Sequence, residues 1–208
     1  YEICACLVGS EMCIRDRDLG VEYVSSFALL GIDKEGLLST DEKLEVLIAR
    51  NAWQKELIWN RFSMDQLGMS ISQPDKVRRS SQTISVGNTG NWSTKNYLPM
   101  GCLKNKETDS ILFWQIEQNG SWYWEISDQD GHMYLQLSGP TEHQSHWWKN
   151  LKPGDTFASV PVSVGSACGD VEEAAGELTK YRRAIRRKNE DNEKLPVIFN
   201  AVSYTHLR

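Results

Sequence analysis

Three carboxylates, Glu125, Asp128 and Asp130, fall within one short stretch. Two carboxylates on opposite sides of a bond can divide acid, base or nucleophile roles between them. Asp128 and Asp130, however, lie in "SDQDGH", which reads as a turn, and turn aspartates hydrogen-bond the local backbone. No catalytic residue is assigned to this cluster. His132, His143 and His146 include one i, i+3 pair, but no second ligand group at metal spacing accompanies it. There is no Gly-rich phosphate loop and no G-x-S-x-G elbow. The other residues able to do chemistry are tryptophans, and all eight lie between Trp53 and Trp148. Indole planes stack on flat rings, but they also fill β cores and cross-strand pairs. In "WYWE", Trp122 and Trp124 share one strand face and Tyr123 takes the other, which is a packing pattern. Trp92, in "GNTGNWSTKN", has no alternation around it and is the candidate for an exposed, substrate-binding aromatic.

The elements that would position these residues are mostly strands. From Gly20 to about Val164 the apolar period is two. "GVEYVSSFALLGI" is strand-like and "DKEG" at 33–36 reads as a turn. "KLEVLIARNAWQKELIWNRFSM" alternates, with Leu44, Val46 and Ile48 on one side and Trp53, Leu57 and Trp59 further on. Asn119-Gly120 separates two aromatic and β-branched runs, a hairpin signal. With a second turn at Asp128 to Gly131, residues Ile111 to Ser138 read as a three-strand meander. Lys152 to Asp155 is a further turn. Many short antiparallel strands predict a sandwich over 18–169.

After Gly169 the period changes. Val171, Ala174, Ala175, Leu178, Tyr181 and Ile185 fall at helical spacing, and Asp170 with Glu173 spells a capping box. A helix is expected over 170–194. Its basic run, Arg182 to Lys188, suits the helix dipole and a solvated face. "KLPVIFN" then reads as a strand without alternation, the pattern of a parallel sheet buried on both faces.

The two ends of the chain are related at the nucleotide level. Ser10 to Asp16, "SEMCIRD", can be written TCG GAG ATG TGT ATA AGA GAC. Its reverse complement, GTC TCT TAT ACA CAT CTC CGA, translates as Val202 to Arg208, "VSYTHLR". No fold requires that relation. The string resembles the transposon mosaic end of sequencing libraries, and the residues before it resemble library adapter. Residues 1–17 and 202–208 therefore carry no functional reading; they fit no strand or helix pattern, and few core contacts are expected of them. They carry three basic and three acidic residues, so the net charge of −5 holds with or without them. No basic footprint for nucleic acid is present, and no apolar run is long enough to cross a membrane. Cys4, Cys6 and Cys13 fall in the adapter-like end, leaving Cys102 and Cys168 without metal or disulfide spacing. The expected compartment is the reducing cytoplasm.

"NAWQKELIWNRFSMDQLG", "NWSTKNYLPMG", "LFWQIEQNGSWYWEI" and "LKPGDTFASVPV", followed by a helix and "LPVIFN", resemble glycoside hydrolase family 36, the α-galactosidases or melibiases. The resemblance lies in the order of these motifs across Asp18 to Asn200. It implies a mainly β fold: an antiparallel β-supersandwich, a connecting helix and, at 195–201, the first strand of a truncated (β/α)8 barrel. It implies a retaining hydrolase of terminal α-galactosyl groups on oligosaccharides, without cofactor, in a homo-oligomeric parent. The catalytic aspartates of the family lie on later barrel strands, so none is expected in this chain. Asn200, at the end of the barrel strand, would be a substrate-binding residue beside Trp92. Ala201 fits a cut through an Asp codon, because G followed by the mosaic-end CT encodes Ala. The alternatives are a freestanding carbohydrate-binding sandwich and a galactosyl-transferring synthase of the same family.

Overall fold

A computed structural model of the chain describes residues 6–8, 11–13, 18–32, 43–69, 82–129 and 132–197. Its elements, in chain order, begin with β1 (Cys6–Val8), β2 (Glu11–Cys13), β3 (Leu19–Val21), β4 (Ser25–Leu30), β5 (Leu44–Ala52) and β6 (Lys55–Ser63). Then come β7 (Ile84–Asn88), β8 (Tyr97–Asn105), β9 (Ser110–Ile116), β10 (Trp122–Gln129), β11 (His132–Ser138) and α1 (Glu142–Ser145). The last are β12 (Lys149–Leu151), β13 (Thr156–Ala158), β14 (Val162–Cys168), α2 (Val171–Ile185) and α3 (Glu190–Lys194).

Two antiparallel sheets form the sandwich. One has six strands in the order β1-β14-β9-β8-β5-β6, the other four in the order β4-β11-β10-β7. Between them lies a core that includes Val46, Leu103, Trp114 and Ile116 from the larger sheet and Trp124, Ile126, Leu135 and Leu137 from the smaller. Trp114 and Trp124 are fully buried and meet edge-to-face, with ring centroids 5.2 Å apart. Helix α2 covers the other face of the six-stranded sheet, packing Ala174 and Leu178 against Leu47, Cys102, Phe113 and Ala167. Strand β5 is thus covered on both sides, which is why "LEVLIA" is nearly continuous in apolar residues instead of alternating.

The α2 capping box forms as the sequence spells it. Asp170 also anchors the helix to the sheet, because Arg61 donates to both of its carboxylate oxygens at 2.7 Å. The turn before β13 closes where expected, with the Asp155 N–H donating to the Lys152 carbonyl at 2.9 Å and Gly154 at φ +91°.

Four sequence expectations need correction or fall elsewhere. The meander over Ile111 to Ser138 is one hairpin, not two. β10 and β11 pair from Tyr123↔Ser138 to Gln129↔His132, but β9 pairs with β8 and β14 in the other sheet. The Asn119-Gly120 turn therefore carries the chain from one sheet to the other. In one sheet, β9 and β10 would set Trp114 and Trp124 side by side on a face still needing a cover. Across the core, each ring covers the other. Second, the helix expected over 170–194 is two helices, because Arg186 leaves helical geometry at ψ 126°. Third, Leu195 to Val197 form no strand, and residues 198–201, including Asn200, lie outside the described residues. Fourth, the leading segment does form strands: Cys6↔Val164 to Val8↔Val162 pairs β1 with β14 at the edge of the six-stranded sheet, and β2 pairs with β13 in a separate two-stranded sheet. The free edge of β14 offers unpaired backbone groups that any extended segment can satisfy, whatever its side chains. The "DKEG" turn lies outside the described residues.

Candidate functional site

A groove of about 620 Å³ lies between α2 and the outer face of the six-stranded sheet. Its apolar walls come from Trp59, Leu98 and Met100 on the sheet and from Val171, Ala175 and Leu178 on the helix. The groove exists because α2 covers only part of that face. Its polar end is tied by a chain of hydrogen bonds. Arg182 donates to the Gln115 side chain. Gln115 Nε2 and Ser163 Oγ both donate to Glu117 Oε1 at 2.7 Å. Cys102 also lines the groove, but burial, and next the Asp170 charge, push its thiol up to about 12. It holds no thiolate at neutral pH and is no nucleophile. Cys102 and Cys168 are free. The arrangement suits packing of apolar chain and carries no nucleophile–base pair.

The loop holding Trp92 borders this groove through Ser93 and Thr94. Its backbone is pinned from three sides. Asn88 donates to the Trp92 carbonyl, Trp122 Nε1 to the Ser93 carbonyl at 2.6 Å, and Asn51 Nδ2 to the Thr94 carbonyl at 2.6 Å. Trp92 itself is 62 % exposed and is not among the groove's lining residues. Asn200, its expected companion, lies outside the described residues, so the two are not brought together here.

The remaining sequence candidates scatter. Glu125 and Asp128 lie on β10, inside a strand where the sequence suggested that a turn begins at Asp128. Asp130 lies outside the described residues. Glu125 accepts hydrogen bonds from the hydroxyls of Tyr123 and, at 2.8 Å, Tyr134. His132 opens β11, His143 is in α1, and His146 ends that helix in the left-handed region at φ 53°. No three His, Cys, Asp or Glu side chains gather at metal spacing among the described residues. Among them, too, no helix is long and apolar enough to cross a membrane. One further exposed aromatic stands apart from these candidates. Trp53 sits 86 % exposed at the tip of the β5–β6 hairpin, where Ala52 pairs with Lys55 and Gln54 has φ 60°. The polar stretch "RNAWQK" between two apolar runs was the available signal.

No protein-family model matches the sequence, and no curated protein aligns with it significantly. Solved structures do. AgaB, an α-galactosidase of glycoside hydrolase family 36 from Geobacillus stearothermophilus, matches with a TM-score of 0.65 at 12 % identity, over 87 % of this chain and 22 % of its own. The α-galactosidase from Lactobacillus brevis matches with a TM-score of 0.63 at 12 % identity, over 85 % of this chain and 21 % of its own. AgaA from G. stearothermophilus, crystallised with stachyose, matches with a TM-score of 0.64 at 12 % identity, over 85 % and 22 %. The chain has the sandwich fold found in these α-galactosidases. It spans about a fifth of their length. At such identities the likeness is one of fold.

Proposed function

We propose that this chain is the N-terminal, non-catalytic part of a retaining α-galactosidase that removes terminal α-galactosyl groups from oligosaccharides. The observation that carries the proposal is the fold match over 87 % of this chain and only 22 % of AgaB. A sandwich of this kind accounts for the matched fifth, and the ordered motifs from "NAWQKELIW" to "LKPGDTF" support the same family. The chemistry belongs to a barrel that follows. Retention needs a nucleophile and an acid/base about 5 Å apart, forming and then hydrolysing a galactosyl-aspartate. Barrel enzymes carry such groups at the C-terminal ends of several strands. In this account α2 leads toward the barrel that follows. Trp92 and Asn200 contact substrate at the rim, and the cytoplasmic parent assembles from identical subunits. Residues 1–17 and 202–208 are translated adapter. An oligosaccharide substrate is supported by the relatives crystallised with stachyose and raffinose.

The test is hydrolysis of p-nitrophenyl α-galactoside. The purified chain should release no nitrophenol above buffer, and the longer product of the same locus should release it. Activity in the chain alone would refute the placement of the chemistry, and an inactive longer product would refute the assignment.

A further inference from the structure

A second concavity, of about 320 Å³, lies on the outer face of the four-stranded sheet, away from the groove described above. Its floor follows from alternation on β10: Trp122, Trp124 and Ile126 are buried in the core, so Tyr123 and Glu125 point outward. The register sets Glu125 opposite Gln136 on β11 and Ser85 on β7, and Tyr123 opposite Ser138 and Gly87. Ser85, Gly87 and Ser138 are small, and Gln136 stands beside Glu125 in the floor. The wall is the segment through Tyr23 together with α1, which supplies His143 and Gln144. It is fixed from within. The Glu142 N–H donates to the Glu22 carbonyl at 2.9 Å, and Thr141 caps α1 by accepting from the Gln144 N–H at 3.0 Å.

We propose that this hollow binds one or two neutral sugar units, whose hydroxyls donate to Glu125 and accept from the amides of Gln136 and Gln144. The Glu125 carboxylate is set before any ligand arrives, because Tyr123 and Tyr134 each hold one of its oxygens. Burial, and next Glu125 itself, raise both phenols above their ordinary value, so they remain protonated donors. Both of these partners are neutral phenols. The lone pairs that these two phenols leave on the Glu125 carboxylate suit a ligand that brings hydroxyl donors. The other ligand classes fit less well. Glu22, Glu125 and Glu142 around the hollow repel an anion. The described residues bring no three ligands together for a metal ion. The lining is too polar for a lipid or an apolar peptide. The volume stands at the small end of ligand pockets, which run from about 300 Å³ upward, so a mono- or disaccharide fits better than a long glycan. This site is built from the four-stranded sheet, the Tyr23 segment and α1, and it does not depend on the α-galactosidase proposal.

The test is a titration of the full chain with D-galactose, D-glucose and raffinose, followed by amide chemical shifts, with n-butylammonium chloride as the cationic control. At least one sugar should shift Tyr123, Glu125 and Gln144 saturably at millimolar concentration. Glu125→Gln should weaken that binding at least about tenfold, the loss expected for a hydrogen bond to a charged group. Gln144→Ala, on the exposed wall, should weaken it about threefold, as for a neutral hydrogen bond, with the melting temperature unchanged. Trp92→Ala should leave it as it is. Three results would overturn the proposal: no saturable shift with any of the three sugars, equal binding by both site variants, or saturation by the alkylammonium ion in place of the sugars.

Discussion

Gly101 lacks a side chain because Trp114 fills the space where one would stand: a Cβ there would come 2.5 Å from the indole Cζ2. Gly176, on the exposed part of α2, has nothing within 4 Å. The same substitution should therefore act with opposite signs at the two sites. Gly101→Ala should cost about 1–3 kcal/mol by overpacking a filled core. Gly176→Ala should gain about 0.4–1 kcal/mol, because a helical glycine loses more entropy on folding than alanine does. Urea denaturation of both variants checks this, and equal signs would contradict the packing described. At this scale the sequence was only partly legible. Alternation placed Trp122 and Trp124 on one buried face. It could not show that Gly101 seats Trp114, because the contact crosses between strands. Glu125 was read beside Asp128 and Asp130 as part of a sequence cluster, but its partners are Tyr123 on its own face and Tyr134 on the next strand.

Helix α2 depends on one ion cluster that joins it to the sheet. Burial pushes the Asp170 and Glu45 carboxyls up. Hydrogen bonds from Arg61, joined by the Val171 N–H at Asp170 and by Lys106 at Glu45, outweigh that and hold both below their ordinary values. A depressed carboxyl binds its proton less tightly in the folded than in the unfolded state. The stabilisation is thus complete above the ordinary carboxylate range and lost as pH falls through the depressed folded values. Arg61→Met should flatten the acid limb of the melting-temperature profile below about pH 4 and leave its shape near neutrality unchanged; an unaltered acid limb would count against the cluster. Asp170→Ala removes the N-cap and should cost about 1–2 kcal/mol at pH 7, read as a lower urea midpoint. The capping box was legible because cap and partner are three residues apart. Arg61 was not, because it reaches Asp170 from a distant strand. The Asn119-Gly120 signal misled for a related reason. A turn dipeptide fixes local backbone geometry, but the need of Trp114 and Trp124 to cover each other decides which sheet the next strand enters.

At the scale of the whole molecule, alternation announced a sandwich followed by a helix, and the structure has both. The assignment of strands to two sheets was not legible, since period two is the same in either. The two ends of the chain make two predictions. Removing residues 1–17 and 202–208 should shift the melting temperature by less than about 2 °C, although β1 adds to the edge of the six-stranded sheet and β2 pairs with β13; a large drop would make them part of the fold. Leu195 and Val197 are 73 % and 99 % exposed, and an uncovered apolar segment promotes association. Ending the chain before Leu195 should therefore raise soluble yield, and equal yields would count against residues 195–201 as a segment built to be covered. The most direct test of the central claim is to read the source DNA through the codon for Asn200. The account predicts that the natural frame departs from "VSYTHLR" and continues for the length of a (β/α)8 barrel, with carboxylates at the ends of later strands. A natural frame that encodes Val202 to Arg208 and then stops would contradict it.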